Sequence, residues 1–160
     1  GESFEISGTE YINQKLWEKP YTIDPDGTFS KKIKDGYEPP IHDFTINING
    51  MDLTQDYISG NVIWLVAYDF EKSNYSELVR LTKELSEYAQ NTGFKVVGMT
   101  ASSDENISKL VDETSCLFPW ATMDGTALKT INRSNPGITI LENGVISKHQ
   151  HFNDAFFNLD

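Results

Sequence analysis

The sequence holds a single cysteine, Cys116, among 160 residues. One thiol excludes an intrachain disulfide and excludes the paired chemistry of a Cys-x-x-Cys site. A lone cysteine fixes nothing about compartment. Basic residues are scarce: 13 Lys and Arg stand against 24 Asp and Glu, a net charge of −11. Nucleic-acid binders present clustered Lys and Arg to the phosphate backbone, so the balance argues against such a partner. It also disfavours adsorption to an anionic lipid surface, and its plainest reading is solubility. Long apolar runs are missing too. The longest, Val62 to Tyr68, has seven residues, far short of the ~20 that a membrane helix needs. No Gly-rich phosphate loop, Walker motif or Ser-His-Asp order is present, and no cofactor is expected.

What is present suits a core. Hydrophobic residues make up 38% of the chain, with nine Phe, seven Tyr and three Trp, and the length fits one domain without metals or disulfides. The chain opens Gly1-Glu2-Ser3 without a Met, which leads us to expect a piece of a longer protein.

Residues 1–36 have weak periodicity and are read as an N-terminal extension. Tyr21-Thr22-Ile23 is predicted as a short strand, Asp24-Pro25-Asp26-Gly27 as a turn, and Thr28-Phe29 as the return of a β-hairpin. Asp24 and Asp26 recur as in a calcium loop, but the later ligands are missing. Gly36 to Pro40 is a stiff extended connector.

Residues 37–160 are read as the main domain. Phe44, Ile46 and Ile48 alternate as in a half-buried strand, and Asn49-Gly50 is a turn signal. Val62–Tyr68 is apolar throughout, as in a strand covered on both faces. Leu78, Leu81, Leu85, Tyr88 and Ala89 share one helix face, and Gly93 ends the helix. Phe94–Thr100 is a second buried strand. Ser102 and Glu105 have the spacing of a capping box, before a helix with Ile107, Leu110 and Val111 inside. A short strand at Phe118–Thr122, a helix from Thr126 to Arg133, and a hairpin of Ile138–Leu141 with Val145–His151 follow. A last helix is expected within Asn153–Leu159. Strands that alternate with helices demand parallel, right-handed crossovers. The fold class is therefore α/β, a mixed central sheet with helices on both faces.

That order, with Ser134-Asn135-Pro136-Gly137 just before a strand, resembles the thioredoxin fold, in its TlpA and peroxiredoxin branch. The resemblance implies that the Phe44–Thr54 hairpin and the Thr126–Arg133 helix are that branch's additions. It also implies that Pro136 follows a cis peptide bond, with the backbone of Asn135 turned outward toward an extended peptide. A second likeness, carried by Gly36 to Phe44 and by Leu128 to Gly137, is to the soluble domain that follows a DoxX-like membrane region in some bacterial proteins. It implies an accessory domain on the periplasmic side of a membrane protein, with the membrane reached only through a region upstream.

In the thioredoxin fold the thiol pair sits just after the first central strand, at a helix N-terminus that lowers the thiol pKa. Here that place reads Asp69-Phe70-Glu71-Lys72-Ser73-Asn74-Tyr75-Ser76. Neither a dithiol nor a peroxidatic cysteine is there, so no catalytic residue is assigned. The ligand-binding candidates are Lys72, Ser73, Asn74 and Tyr75, facing Ser134, Asn135 and Pro136. Ser73 is more simply a helix cap. Cys116, in acidic and apolar surroundings, is read as a buried thiol rather than a nucleophile. His149 and His151 share a strand face but lack further ligands, so no metal is expected. His42 and Asp43 point to opposite strand faces and make no dyad. The sequons at Asn74, Asn106 and Asn132 are read as chance.

The expected function is a redox-inactive accessory or binding module that holds a protein or peptide near Pro136. The alternatives are a monothiol redox enzyme using Cys116 and a purely structural extension. The sequence does not set the oligomeric state.

Overall fold

The computed structural model describes residues 3–28 and 44–157, which fall in two compact units, residues 1–38 and 39–160. In the first, Ser7 caps the helix α1 (Gly8–Asn13) with a reciprocal capping box: its hydroxyl accepts from the Glu10 N–H, and the Glu10 carboxylate accepts from the Ser7 N–H. A single 3₁₀ turn, Leu16–Glu18, follows and buries Leu16. Tyr21–Ile23, expected as a strand, forms none. The turn after it does form. The Asp24 carboxylate accepts from the Asp26 N–H and the Asp24 carbonyl from the Thr28 hydroxyl, so the local side chain closes the turn without a strand ladder. The expected return strand begins at Thr28, which is in no strand; Phe29 lies outside the described residues, as do His42 and Asp43.

The second unit is built on a seven-stranded sheet in the order β2-β1-β5-β4-β3-β6-β7. The strands are β1 (Asn47–Ile48), β2 (Met51–Asp52), β3 (Val62–Val66), β4 (Lys95–Thr100), β5 (Trp120–Thr122), β6 (Gly137–Glu142) and β7 (Val145–His151). β3, β4 and β5 run parallel, while β6 lies antiparallel beside β3 and pairs with β7 through a hairpin. The helices α2 (Thr54–Ile58), α3 (Tyr75–Thr92), α4 (Asp104–Thr114) and α5 (Gly125–Ile131) connect them. Both hairpins turn on Asn-Gly pairs with positive φ, 52° and 81° at Asn49-Gly50 and 53° and 77° at Asn143-Gly144. Such primed turns match the strand twist and need Asn and Gly to avoid a β-carbon clash.

β3 is buried along its whole length, and its alternating side chains separate two cores. Ile63 and Leu65 pack with Leu78, Leu81 and Leu85 of α3 and Leu110 of α4. Val62, Trp64 and Val66 pack on the opposite face with Val97, Met99 and Leu128 of α5. Each fully buried Leu contributes about 1.5–3 kcal/mol relative to exposure, so the α3 face alone strongly favours docking. Trp64 also donates its indole N–H to the Tyr57 carbonyl at 2.7 Å, which ties α2 to that face.

Two local expectations are corrected. α4 is capped by Ser103, whose hydroxyl accepts from the Asn106 N–H, not by Ser102 with Glu105. Ser102 instead accepts from the Phe70 N–H at 2.9 Å. The last helix is reduced to one 3₁₀ turn, Phe152–Asp154. The segment after it is pinned by Arg80, which donates to the carbonyls of Phe152 and Ala155; residues 158–160 lie outside the described residues.

Candidate functional site

The loop after β3 leads through a 3₁₀ turn, Phe70–Lys72, into α3. Asp69 caps that turn by accepting from the Glu71 N–H. Its other carboxylate oxygen accepts from the Lys72 ammonium at 2.5 Å. That contact holds the Asp69 carboxyl below its usual range and the Lys72 ammonium above its own. Ser73 does not cap α3, contrary to expectation: its hydroxyl donates to the Phe70 carbonyl at 2.8 Å. The cap is Asn74, whose carboxamide oxygen accepts from the Glu77 N–H.

Across from this loop, the Asn135–Pro136 bond is cis. The backbone of Asn135 is not wholly free for a peptide, which corrects the expectation. Its carbonyl accepts from the Asn74 N–H at 3.1 Å, and its side-chain amide donates to the Asp69 carbonyl at 2.8 Å. The two loops are thus joined at both ends of the 69–74 segment. The Asn135 side-chain oxygen is buried with no hydrogen-bond partner. Ser134 is held by the Asn132 carboxamide, which accepts from its N–H, and its hydroxyl donates to the Pro136 carbonyl.

Only part of the predicted set lines one space. Ser73 and Tyr75 face a hollow of about 320 Å³ with Phe70, Glu71, Asn106 and Lys109. Lys72 and Asn74 lie outside its lining, as do Ser134, Asn135 and Pro136. The α4 residues Asn106 and Lys109 carried no local signal, because only the docking of α4 beside α3 brings them there. Tyr75 bridges the same helices: its hydroxyl donates to the Glu113 carboxylate at 2.7 Å. Burial, with the carboxylate as acceptor and neighbouring charge, pushes its pKa up to about 12. A second hollow, about 490 Å³, lies between the β1–β2 turn, β5 and α4, and contains none of the predicted residues.

Cys116 is half-buried at the end of α4 and donates from sulfur to the Phe118 carbonyl at 3.3 Å. Burial raises its pKa, opposed more weakly by hydrogen bonding with the Phe118 backbone, Trp120 and Ser86. The thiolate is the nucleophile, so this setting works against reactivity. His149 and His151 are both exposed. His149 Nδ1 lies 3.0 Å from the Thr139 hydroxyl, and His151 Nδ1 accepts from the Asn153 N–H. No group of three or more potential metal ligands occurs among the described residues.

A mixed sheet whose first parallel strand feeds a helix N-terminus, facing a proline loop before the final hairpin, is an α/β frame known from solved structures. No family model matches the sequence, and no curated relative matches it. Solved structures do match. A secreted disulfide oxidoreductase of Mycobacterium tuberculosis is 13% identical with a TM-score of 0.52, over 66% of this chain and 81% of that one. A thiol-disulfide isomerase of Corynebacterium glutamicum is 18% identical at 0.51, over 70% and 85%. The thioredoxin domain of a thiol-disulfide oxidoreductase from Bacteroides vulgatus is 16% identical at 0.51, over 66% and 80%. The chain has the thioredoxin-like fold. These likenesses extend to architecture and not to activity.

Proposed function

We propose that this chain is a redox-inactive thioredoxin-fold module that holds a peptide or a partner domain at the surface formed by residues 69–75 and α4. The observation that carries the reading is the start of α3. In the segment after β3 where a redox member of the fold carries its thiols, this chain has no cysteine, and its Asn74 caps the helix with its side chain and binds Asn135 with its N–H. The residues there are committed to structure and leave a polar hollow beside them rather than a nucleophile. Phe70 supplies an apolar floor, and Ser73, Asn106 and Lys109 supply polar groups around it, the mixture expected of a recognition surface.

The module is the soluble part of a larger, membrane-bound bacterial protein, on the periplasmic side. The likeness of the Gly36–Phe44 and Leu128–Gly137 stretches to DoxX-associated domains supports this, and so does the secreted character of one structural neighbour. No helix among the described residues is long and apolar enough to cross a membrane. The monothiol alternative is disfavoured by the raised pKa of Cys116.

The test has two arms. In an insulin-reduction assay with dithiothreitol, the chain should leave the uncatalysed rate unchanged, and catalysis that survives Cys116→Ser would overturn the redox-inactive reading. Extended peptides titrated into labelled protein should shift the amides of Phe70, Ser73, Asn106 and Lys109. Peptide binding that bypasses all four would overturn the assigned surface.

A further inference from the structure

The sequence contains two Asn-Gly pairs, Asn49-Gly50 and Asn143-Gly144. Each closes a hairpin, and the two share a backbone shape: φ is 52° and 81° in the first and 53° and 77° in the second. An Asn-Gly pair carries its own chemistry. The glycine nitrogen lies close to the asparagine carboxamide, and no glycine side chain hinders its approach. Both pairs are exposed, so access of water does not separate them. A difference in reactivity comes from what holds each turn.

The second turn is clamped. The Gly144 N–H donates to the Gly60 carbonyl at 2.9 Å, and the Asn143 N–H donates to the Asn61 side-chain oxygen at 3.1 Å. A β-carbon at Gly144 would lie 3.2 Å from the Ile58 carbonyl oxygen, so the turn is seated against the loop before β3. It also ends a long ladder, from Gly137–His151 to Glu142–Val145. The first turn has none of this. Among the described residues the Gly50 N–H donates to no carbonyl, and nothing lies within 4 Å of a β-carbon built there. Its hairpin is paired only through Asn47–Asp52 and Ile48–Met51, and β2 is the outer edge of the sheet. So short a hairpin is marginal by itself and opens locally at low cost.

We propose that Asn49 is a site of spontaneous deamidation and that Asn143 is protected from it. The Gly50 nitrogen bonds to the Asn49 carboxamide carbon, and the bond from that carbon to the amide nitrogen breaks. That nitrogen leaves as ammonia, with the proton lost by the Gly50 N–H. Water then opens the cyclic imide to aspartate or isoaspartate, and no other reactant is needed. The step requires a free glycine N–H and a turn that relaxes toward the geometry of attack; Gly50 has both and Gly144 has neither. The product sets a carboxylate on the rim of the hollow that Asn49 shares with Asp104, in a chain that already carries −11. Isoaspartate also adds a carbon to the backbone, which a primed two-residue turn does not accommodate. β1 is held to β5 through the pair Asn47–Thr122, so the modified hairpin loosens from the sheet while β3 and β4 keep their ladder. The site shares no residue with the hollow at Ser73 and Tyr75, so either reading can fail alone.

The experiment incubates the full chain in mildly alkaline buffer, folded and in urea, and follows both asparagines by peptide mapping and mass spectrometry. In urea the two pairs should convert at similar rates, so the ratio in the folded chain measures the turns. There Asn49 should convert faster than Asn143 by on the order of tenfold, the effect of the two hydrogen bonds that hold only the second turn. Asn61→Ala removes the acceptor of the Asn143 N–H and should speed conversion at Asn143 alone. In the converted chain, hydrogen exchange should quicken at the Leu53 N–H, which donates to the Ile46 carbonyl beside the hairpin. Equal rates at the two asparagines in the folded chain would overturn the proposal. So would conversion of Asn143 ahead of Asn49, or an Asn49 that stays intact when folded while the chain in urea converts.

Discussion

The indole ring of Trp120 occupies the space that a side chain at Gly98 would need. A β-carbon built on Gly98 would lie 2.3 Å from Cδ2 of that ring. The two residues are register partners on the parallel strands β4 and β5, and Trp120 packs there against Phe70 and Phe118. Gly98→Ala should therefore push the indole off its site and overpack the core, at a cost of roughly 1–3 kcal/mol. Urea unfolding followed by circular dichroism checks this, with Gly125→Ala, where a β-carbon meets only Ala101 at 3.5 Å, as the mild comparison.

Asn132 organises the loop before β6. Its side-chain amide donates to the Ile138 carbonyl and its oxygen accepts from the Ser134 N–H. Its carboxamide also fills the space beside Gly137, where a β-carbon would come within 2.4 Å of it. Asn132→Ala should leave both backbone groups unpaired, at about 1–3 kcal/mol for each that stays buried. Hydrogen exchange at Ser134 should accelerate together with the loss of stability; stability lost with that amide unchanged would place the effect elsewhere.

The alkaline limb of stability should report on Tyr75. Its pKa in the folded chain is about 12 against 10 for an ordinary tyrosine. Between these values the unfolded chain loses the proton first, so the contribution of Tyr75 is complete below pH 10 and disappears as pH rises toward 12. Tyr75→Phe should flatten the fall in stability over that window and, because it removes the hydroxyl that donates to Glu113, lower stability at neutral pH. Denaturation curves at stepped pH read this directly.

Removal of Arg80 should release the C-terminal segment. Its guanidinium pairs with Glu77 and Glu84 and binds the carbonyls of Phe152 and Ala155. Arg80→Met keeps much of the stem but none of the donors, and a loss on the order of 1–3 kcal/mol follows from charge-assisted bonds. Exchange should rise at Phe157, whose N–H faces Glu84, well before it rises in β3.

Cys116 should react slowly. Burial holds its pKa up, so modification by a maleimide near neutral pH should lag behind that of the unfolded chain. A rate equal to that of the unfolded chain would restore the monothiol alternative.

The fold was legible because its strongest signals are local and periodic. The apolar run at Val62 and the alternation of Ile63 and Leu65 against Trp64 and Val66 specify a strand with two covered faces, and the leucines at 78, 81 and 85 specify the helix on one of them. The caps were less legible. Ser102-Ser103 and Ser73-Asn74 each offer adjacent capping residues, and the Glu three positions after Ser102 favoured the wrong one. Tyr21–Ile23 has strand-like composition but gains no partner strand there. At the candidate site, the loop sequence located Ser73 and Tyr75. Asn106 and Lys109, and the turn of the Asn135 carbonyl toward Asn74, depend on contacts between distant segments that no local pattern encodes.

The separation of the two cores by β3 has a spectroscopic consequence. The three tryptophans of the chain are distributed one to a compartment: Trp17 in the first unit, Trp64 in the core beneath α5, and Trp120 in the core beneath α3 and α4. Two of them are nearly sealed from water and the first is half exposed. Fluorescence quenching by a small solute would therefore divide into one accessible emitter and two shielded ones. Variants that retain a single tryptophan would turn the chain into three separate optical reporters, each registering the loosening of its own layer.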